Sequence, residues 1–152
     1  MKKLFALILT VCLLAAMATT AFAANTAGGK ADITTSIDPT YTVTIPADVN
    51  VAFNATETAF GTIEVTASQI HPDKCIKVAL ATDKELNNAI DNTKVIPYAI
   101  KDSEGAEFTS ATYLTEGDKT ELSIHITADD WNAAYAGDYS DTVTFTVSYE
   151  DK

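Results

Sequence analysis

Apolar and polar residues alternate with a period of two along most of this chain. Ile33, Thr35 and Ile37 alternate with Asp32, Thr34 and Ser36, and Tyr41, Val43 and Ile45 alternate with threonines until Pro46 interrupts. Val49, Val51 and Phe53 keep the rhythm, as do Ile63, Val65 and Ala67, then Ile76, Val78 and Leu80, then Ile96, Tyr98 and Ile100. Leu122, Ile124 and Ile126 follow. The clearest run comes last, with Val143, Phe145, Val147 and Tyr149 set against Thr142, Thr144, Thr146 and Ser148. Successive side chains of a strand point to opposite faces, so this period, with threonine on the off-beat, describes strands buried on one side only. Turn signals such as Asp38-Pro39 and Pro72-Asp73 separate the runs. The pattern predicts an all-β chain, an antiparallel β-sandwich of about 7–9 strands.

Helical spacing is confined to two short pieces. Lys84 to Ile90 places Leu86 and Ile90 at i, i+4. Asp129 to Ala136 does the same for Trp131 and Tyr135, with Thr127 or Asp129 as the N-cap and Gly137 as the stop. One or two short crossover helices are therefore expected.

The N-terminus changes the picture of where the chain works. Lys2 and Lys3 precede an apolar run from Leu4 to Ala18, and Ala21-Phe22-Ala23 is a small-residue exit. This order predicts a secretory signal peptide over residues 1–23, removed on export. The run holds 18 − 3 = 15 residues, short of the ~20 that cross a bilayer as a helix. Residues 24–30 read as a flexible lead-in and residues 31–152 as a single sandwich domain. The expected location is extracellular or at the cell surface, with no membrane insertion after signal cleavage.

Charge narrows the partners. With the signal gone, 10 − 2 = 8 lysines stand against 21 acids, a net charge of −13, and the chain has no arginine. Such a chain lacks the basic footprint of a nucleic-acid binder, and anionic lipid would repel it. Cys12 lies within the signal, so Cys75 is the only mature cysteine. No intrachain disulfide is expected, and Cys75 reads as a buried thiol.

Catalytic chemistry finds no signature. There is no Gly-x-Ser-x-Gly elbow, and two histidines without arginine offer few means of stabilising an oxyanion or a phosphate. The chain reads as a non-enzyme. His71, Asp73 and Cys75 fall at alternate positions but lack a fourth donor for zinc. Asp129, Asp130, Asp138 and Asp141 bracket one crossover. They form a candidate calcium set, against the simpler reading that the acids cap a helix. No other cofactor is expected. Trp131, Tyr135 and Tyr139 cluster at the same crossover. Exposed, they would stack on a glycan; buried, they would close one end of the sandwich.

The segment from Ala136 to Tyr149 carries Gly137, Tyr139 and Asp141 ahead of alternating valine and threonine and a closing aromatic. It resembles the last strand of spore coat protein U and related fimbrial subunits, and the closing strand of WxL-type surface proteins of Gram-positive bacteria. Tyr41 to Pro46 is familiar from the same proteins. The resemblance implies an Ig-like sandwich in a cell-surface or fibre protein, and it carries over architecture without binding residues. In such sandwiches a tyrosine placed like Tyr139 folds back onto nearby backbone and pins a corner.

These observations lead to a secreted, non-catalytic structural or adhesive subunit of a bacterial surface or extracellular fibre, partnered by other surface proteins or by itself. Ile33, Thr35 and Ile37 form a candidate donor strand for a neighbouring copy. The simpler alternative makes residues 30–37 the domain's own first strand. A carbohydrate- or calcium-binding module centred on Trp131, Tyr135, Asp138 and Asp141 is the rival reading.

Overall fold

The protein is described by a computed structural model covering residues 32–152. The expected signal peptide (residues 1–23) and the whole expected lead-in (residues 24–30) lie outside the described residues. Ten strands and one helix follow in chain order: β1 (Thr40–Thr44), β2 (Glu57–Gln69), β3 (Lys74–Ala81), β4 (Glu85–Asn88), β5 (Val95–Pro97), β6 (Ala99–Asp102), β7 (Ser110–Tyr113), β8 (Lys119–His125), α1 (Ala128–Ala133), β9 (Tyr139–Ser140) and β10 (Thr144–Asp151). The chain is all-β and sandwich-like, as the alternation predicts, with every strand pairing antiparallel. One sheet runs β1-β2-β8-β6, a second β10-β3-β7, and a small third β5-β4-β9.

The core is one cluster fed by the predicted beats. Ile63 and Val65 of β2, Ile76 and Val78 of β3, Ile100 of β6 and Leu122 and Ile124 of β8 are all buried, with Ile96, Ile126 and Phe108. Burying one such side chain contributes about 1.5–3 kcal/mol, so these residues hold the two larger sheets together without a disulfide. Cys75 is buried at the start of β3, as expected of it.

A bulge interrupts β2. Ala59 faces Ser123 and Gly61 faces Leu122, which leaves Phe60 as the extra residue. Gly61 takes φ +139°, and a Cβ there would lie 3.0 Å from Pro46 Cβ. Only glycine fits both the backbone and the gap. Phe60 is turned onto Phe145, 5.9 Å between ring centroids.

Several expectations are corrected. Lys84–Ile90 forms no helix; β4 occupies it, because Leu86 and its neighbours pair with Val95–Pro97 and make an extended ladder worth more than one isolated helical turn. The run Ile96, Tyr98, Ile100 is two strands rather than one. The pairing with β4 ends where the Tyr98 N–H donates to the Lys84 carbonyl at 2.9 Å, and the chain then crosses into the large sheet, where Ala99 faces His125. Val49, Val51 and Phe53 form no strand. Asp32–Pro39 forms none either, so the domain does not use its described part as a first strand. The strand count reaches ten because β4 replaces the expected helix, the Ile96–Ile100 run is split into β5 and β6, and β7 and β9 are too short to show a period.

The start of β1 and the end of β10 meet at one pole. Thr40 pairs with Gln69 and Asp151 with Lys74, on either side of the β2–β3 turn. There the ring of Tyr41 stacks on Tyr149 at 5.8 Å, and Tyr149 Oη accepts the His71 N–H at 2.9 Å.

Candidate functional site

Two features outside the core stand out: an aromatic cleft beside α1, and an unpaired N-terminal segment near an open sheet edge.

The cleft starts with the helix. Thr127 is the N-cap, its hydroxyl accepting from the Asp130 N–H at 3.1 Å and donating to Asp130 Oδ2 at 2.5 Å. Asp129 and Asp130 sit in the first turn, where carboxylates suit the helix dipole. The single turn of helix presents Trp131, whose Nε1–H donates to the Ala55 carbonyl at 2.8 Å. That bond clamps the tight turn Ala52–Ala55, closed by an Ala55 N–H to Ala52 O bond of 3.0 Å. Asn54 takes φ +66° in the turn, a conformation asparagine tolerates better than most residues. Phe53 is thereby held at the tip, edge-on to Trp131 at 5.6 Å and 80°.

Tyr135 lines the same cleft, its ring under the Lys94 ammonium at 4.9 Å. Tyr139 Oη donates to the Tyr135 carbonyl at 3.0 Å, the fold-back expected of it. Gly137, at φ +148°, lets this segment press on the buried Asn88, where a Cβ would come within 2.6 Å of Nδ2. Asn88 Oδ1 in turn accepts from the Ile90 and Asp91 N–H groups at 2.9 and 3.2 Å. Phe53, Trp131 and Tyr135 line an open cleft of about 630 Å³, together with the buried Ile96 and with Asn54, Asn132 and Tyr139. Its lining contains no charged residue.

The structure thus brings Trp131, Tyr135 and Tyr139 to one site. Trp131 and Tyr139 are half-buried, while Tyr135 is 63 % exposed. Phe53 was expected in the core and is instead 77 % exposed. The period of two through Val49, Val51 and Phe53 belongs to a loop, and the Phe53-Asn54 turn pair was the sequence signal against a strand.

The four candidate calcium ligands do not converge. Asp129 and Asp130 stay at the helix start. The Asp138 carbonyl accepts from the Ala89 N–H at 2.8 Å. Asp141 is occupied elsewhere: Oδ2 accepts from Thr82 Oγ1 at 2.7 Å and from Tyr98 Oη, and Oδ1 accepts from the Thr142 N–H at 2.5 Å. Burial pushes the Asp141 carboxyl up, but these hydrogen bonds outweigh it and hold the group below the usual carboxylate range. Burial, with the Asp141 charge beside it, drives the Tyr98 phenol the other way, upward. Among the described residues no three His, Cys, Asp or Glu side chains gather as a metal site, and this includes His71, Asp73 and Cys75.

The second feature is Asp32–Pro39. It lies outside every ladder, with Ile33 97 % and Ile37 63 % exposed. β10 ends its sheet, bonded only to β3, and its inward residues Phe145, Val147 and Tyr149 are only half-buried. β1 ends the other sheet on the same side, where Tyr41 meets Tyr149. One side of the sandwich is therefore incompletely covered.

The chain matches no protein-family model and no curated protein.

Proposed function

We propose that this chain is a secreted, non-catalytic structural subunit of a bacterial surface or extracellular fibre, and that copies join by strand addition. The observation that carries this reading is the unpaired Asp32–Pro39 segment, with Ile33 and Ile37 held out in solvent. Two isoleucines spaced four apart on an extended chain share one face, with Thr35 between them on the same beat. Left free they expose apolar surface; laid along a sheet edge they would bury it while the backbone completes a ladder. The outer edge of β10 offers such a ladder, and the half-buried Phe145 and Val147 offer apolar surface beside it. The resemblance of Ala136–Tyr149 to the closing strand of fimbrial and surface proteins points the same way, as does the signal-like N-terminus. The buried Cys75 thiol favours non-covalent assembly over disulfide linkage.

Light scattering and negative-stain microscopy of the purified chain test the reading. Fibres or an oligomer ladder, insensitive to reductant and abolished by Ile33→Lys with Ile37→Lys, are expected. A monomer at every concentration, or oligomers untouched by that double substitution, would overturn it.

A further inference from the structure

The strand-addition reading leaves the aromatic cleft unused, and the cleft has features that packing alone does not require. Phe53 and Tyr135 both line it and stay largely exposed, although Phe53 meets Trp131 edge-on and Lys94 lies over one face of Tyr135. Both are held firmly. The Trp131 Nε1–H to Ala55 O bond fixes the turn that carries Phe53, and the Tyr139 Oη to Tyr135 O bond fixes the backbone of Tyr135. Rigid, solvent-facing aromatics lose little conformational entropy when a ligand covers them.

The polar groups of the cleft narrow the ligand. Asn54 and Asn132 flank it, and neither side-chain amide has a hydrogen-bond partner among the described residues. An amide supplies both donors and an acceptor, which matches a hydroxyl, itself donor and acceptor. The lining is uncharged in a chain with 21 acids and 10 lysines. An anionic ligand would meet the repulsive field of the chain with the Lys94 ammonium over Tyr135 to offset it, and a cationic one would find no carboxylate in the lining. The volume of about 630 Å³ falls within the ~300–1,000 Å³ typical of ligand clefts.

We infer that the cleft binds a neutral pyranose glycan, with sugar rings against the faces of Phe53 and Tyr135 and hydroxyls on the amides of Asn54 and Asn132. A pyranose has one face of C–H groups and a rim of hydroxyls, the complement of two aromatic walls with amides at the margin. The inference is independent of assembly, since α1 and the small sheet line the cleft and no residue of β1 or β10 does.

Trp131 is the only tryptophan in the chain and lines the cleft, so its fluorescence reports occupancy directly. The purified chain is titrated with neutral trisaccharides of glucose, galactose, mannose and N-acetylglucosamine, with trigalacturonate as the acidic control and a peptide of residues 32–38 as the protein control. A saturable change with at least one neutral trisaccharide is expected. Phe53→Ala and Tyr135→Ala should each weaken it about tenfold or more while the variants stay folded by circular dichroism, and Phe53→Tyr should retain it. The inference is overturned by silence across the neutral panel, by a response to trigalacturonate or to the peptide alone, or by affinities unchanged in both alanine variants. Loss of oligomers in the Ile33, Ile37 double variant with glycan binding intact would separate the two functions.

Discussion

Replacing Asp141 by alanine tests the small polar cluster that joins the last strand to the middle of the chain. In the native protein this carboxylate accepts from the hydroxyls of Thr82 and Tyr98 and from the Thr142 N–H. Tyr98 is 8 % exposed, so its hydroxyl depends on protein partners. Without Asp141 it keeps only Thr82 Oγ1, at 2.8 Å, which must also continue to accept from the Lys84 N–H at 2.9 Å. Two side-chain hydrogen bonds at about 1 kcal/mol each give a loss of about 2 kcal/mol. Partial exposure of Asp141 to solvent offsets the extra strength that its charge would lend them. For a domain of this size that loss lowers Tm by about 6–10 °C. Tyr98→Phe removes one of the two bonds and should cost about 1 kcal/mol, and the double variant should fall short of additivity by about 0.5–1 kcal/mol. The carboxyl of folded Asp141 is held below its unfolded value, so its contribution is complete above the unfolded pKa of about 4. It fades as pH falls through the folded value. Thermal melts followed by circular dichroism should therefore show a wider Tm gap between wild type and Asp141→Ala at neutral pH than in strong acid. A gap of the same size at both pH values, or strict additivity with Tyr98→Phe, would refute this account.

Two further outcomes follow from the packing. Gly137→Ala places a methyl against Asn88 Nδ2 at a φ that side chains rarely adopt. It should cost about 1–3 kcal/mol and also disturb Trp131 fluorescence; a neutral effect on both would show that the segment relaxes freely. Cys75 is 5 % exposed, its Sγ–H donating to the Asp151 carbonyl at 3.7 Å. A thiol-specific reagent should therefore label it only as fast as the domain opens, with labelling rising across the denaturant transition. Immediate reaction in native buffer would contradict the burial.

How much of this was readable in the chain depends on how local each cause is. The core beats of β2, β3 and β8 are set by neighbours two residues away, and Ile63, Val65, Ile76, Val78, Leu122 and Ile124 are all buried as the alternation requires. The start of the helix at Thr127 is equally local, because cap, acids and tryptophan lie within one turn, but the helix ends at Ala133 with Ala134 as its C-cap, so Tyr135 lies outside it and Gly137 is not its stop. What escaped has distant causes. Leu86 and Ile90 have helical spacing, yet Val95–Pro97 recruits the segment into a ladder. Phe53 has the strand beat, but Trp131, far along the chain, fixes it in a turn through the Ala55 carbonyl. Of the cleft, the sequence pointed to Trp131, Tyr135 and Tyr139, which share one crossover, and missed Phe53 and Asn54, which arrive from another loop. The acids around the crossover looked alike in sequence; only the fold reveals that Asp141 is committed to Thr82 and Tyr98.

The meeting of the start of β1 and the end of β10 at one pole has a mechanical consequence. A tension applied between Asp32 and Lys152 reaches the folded part at Thr40–Gln69 and Asp151–Lys74, the terminal pairs of two different ladders. The Tyr41–Tyr149 stack lies directly across that line of load. Force in this direction peels each ladder one pair at a time, starting from the pole, instead of shearing many hydrogen bonds together. The pairs at the other end, Thr44 with Glu64 and Thr144 with Ala81, would be the last to feel it. Pulled by its ends, the domain is a zipper with its slider at Tyr41 and Tyr149, and it should yield at far lower force than its buried core would suggest.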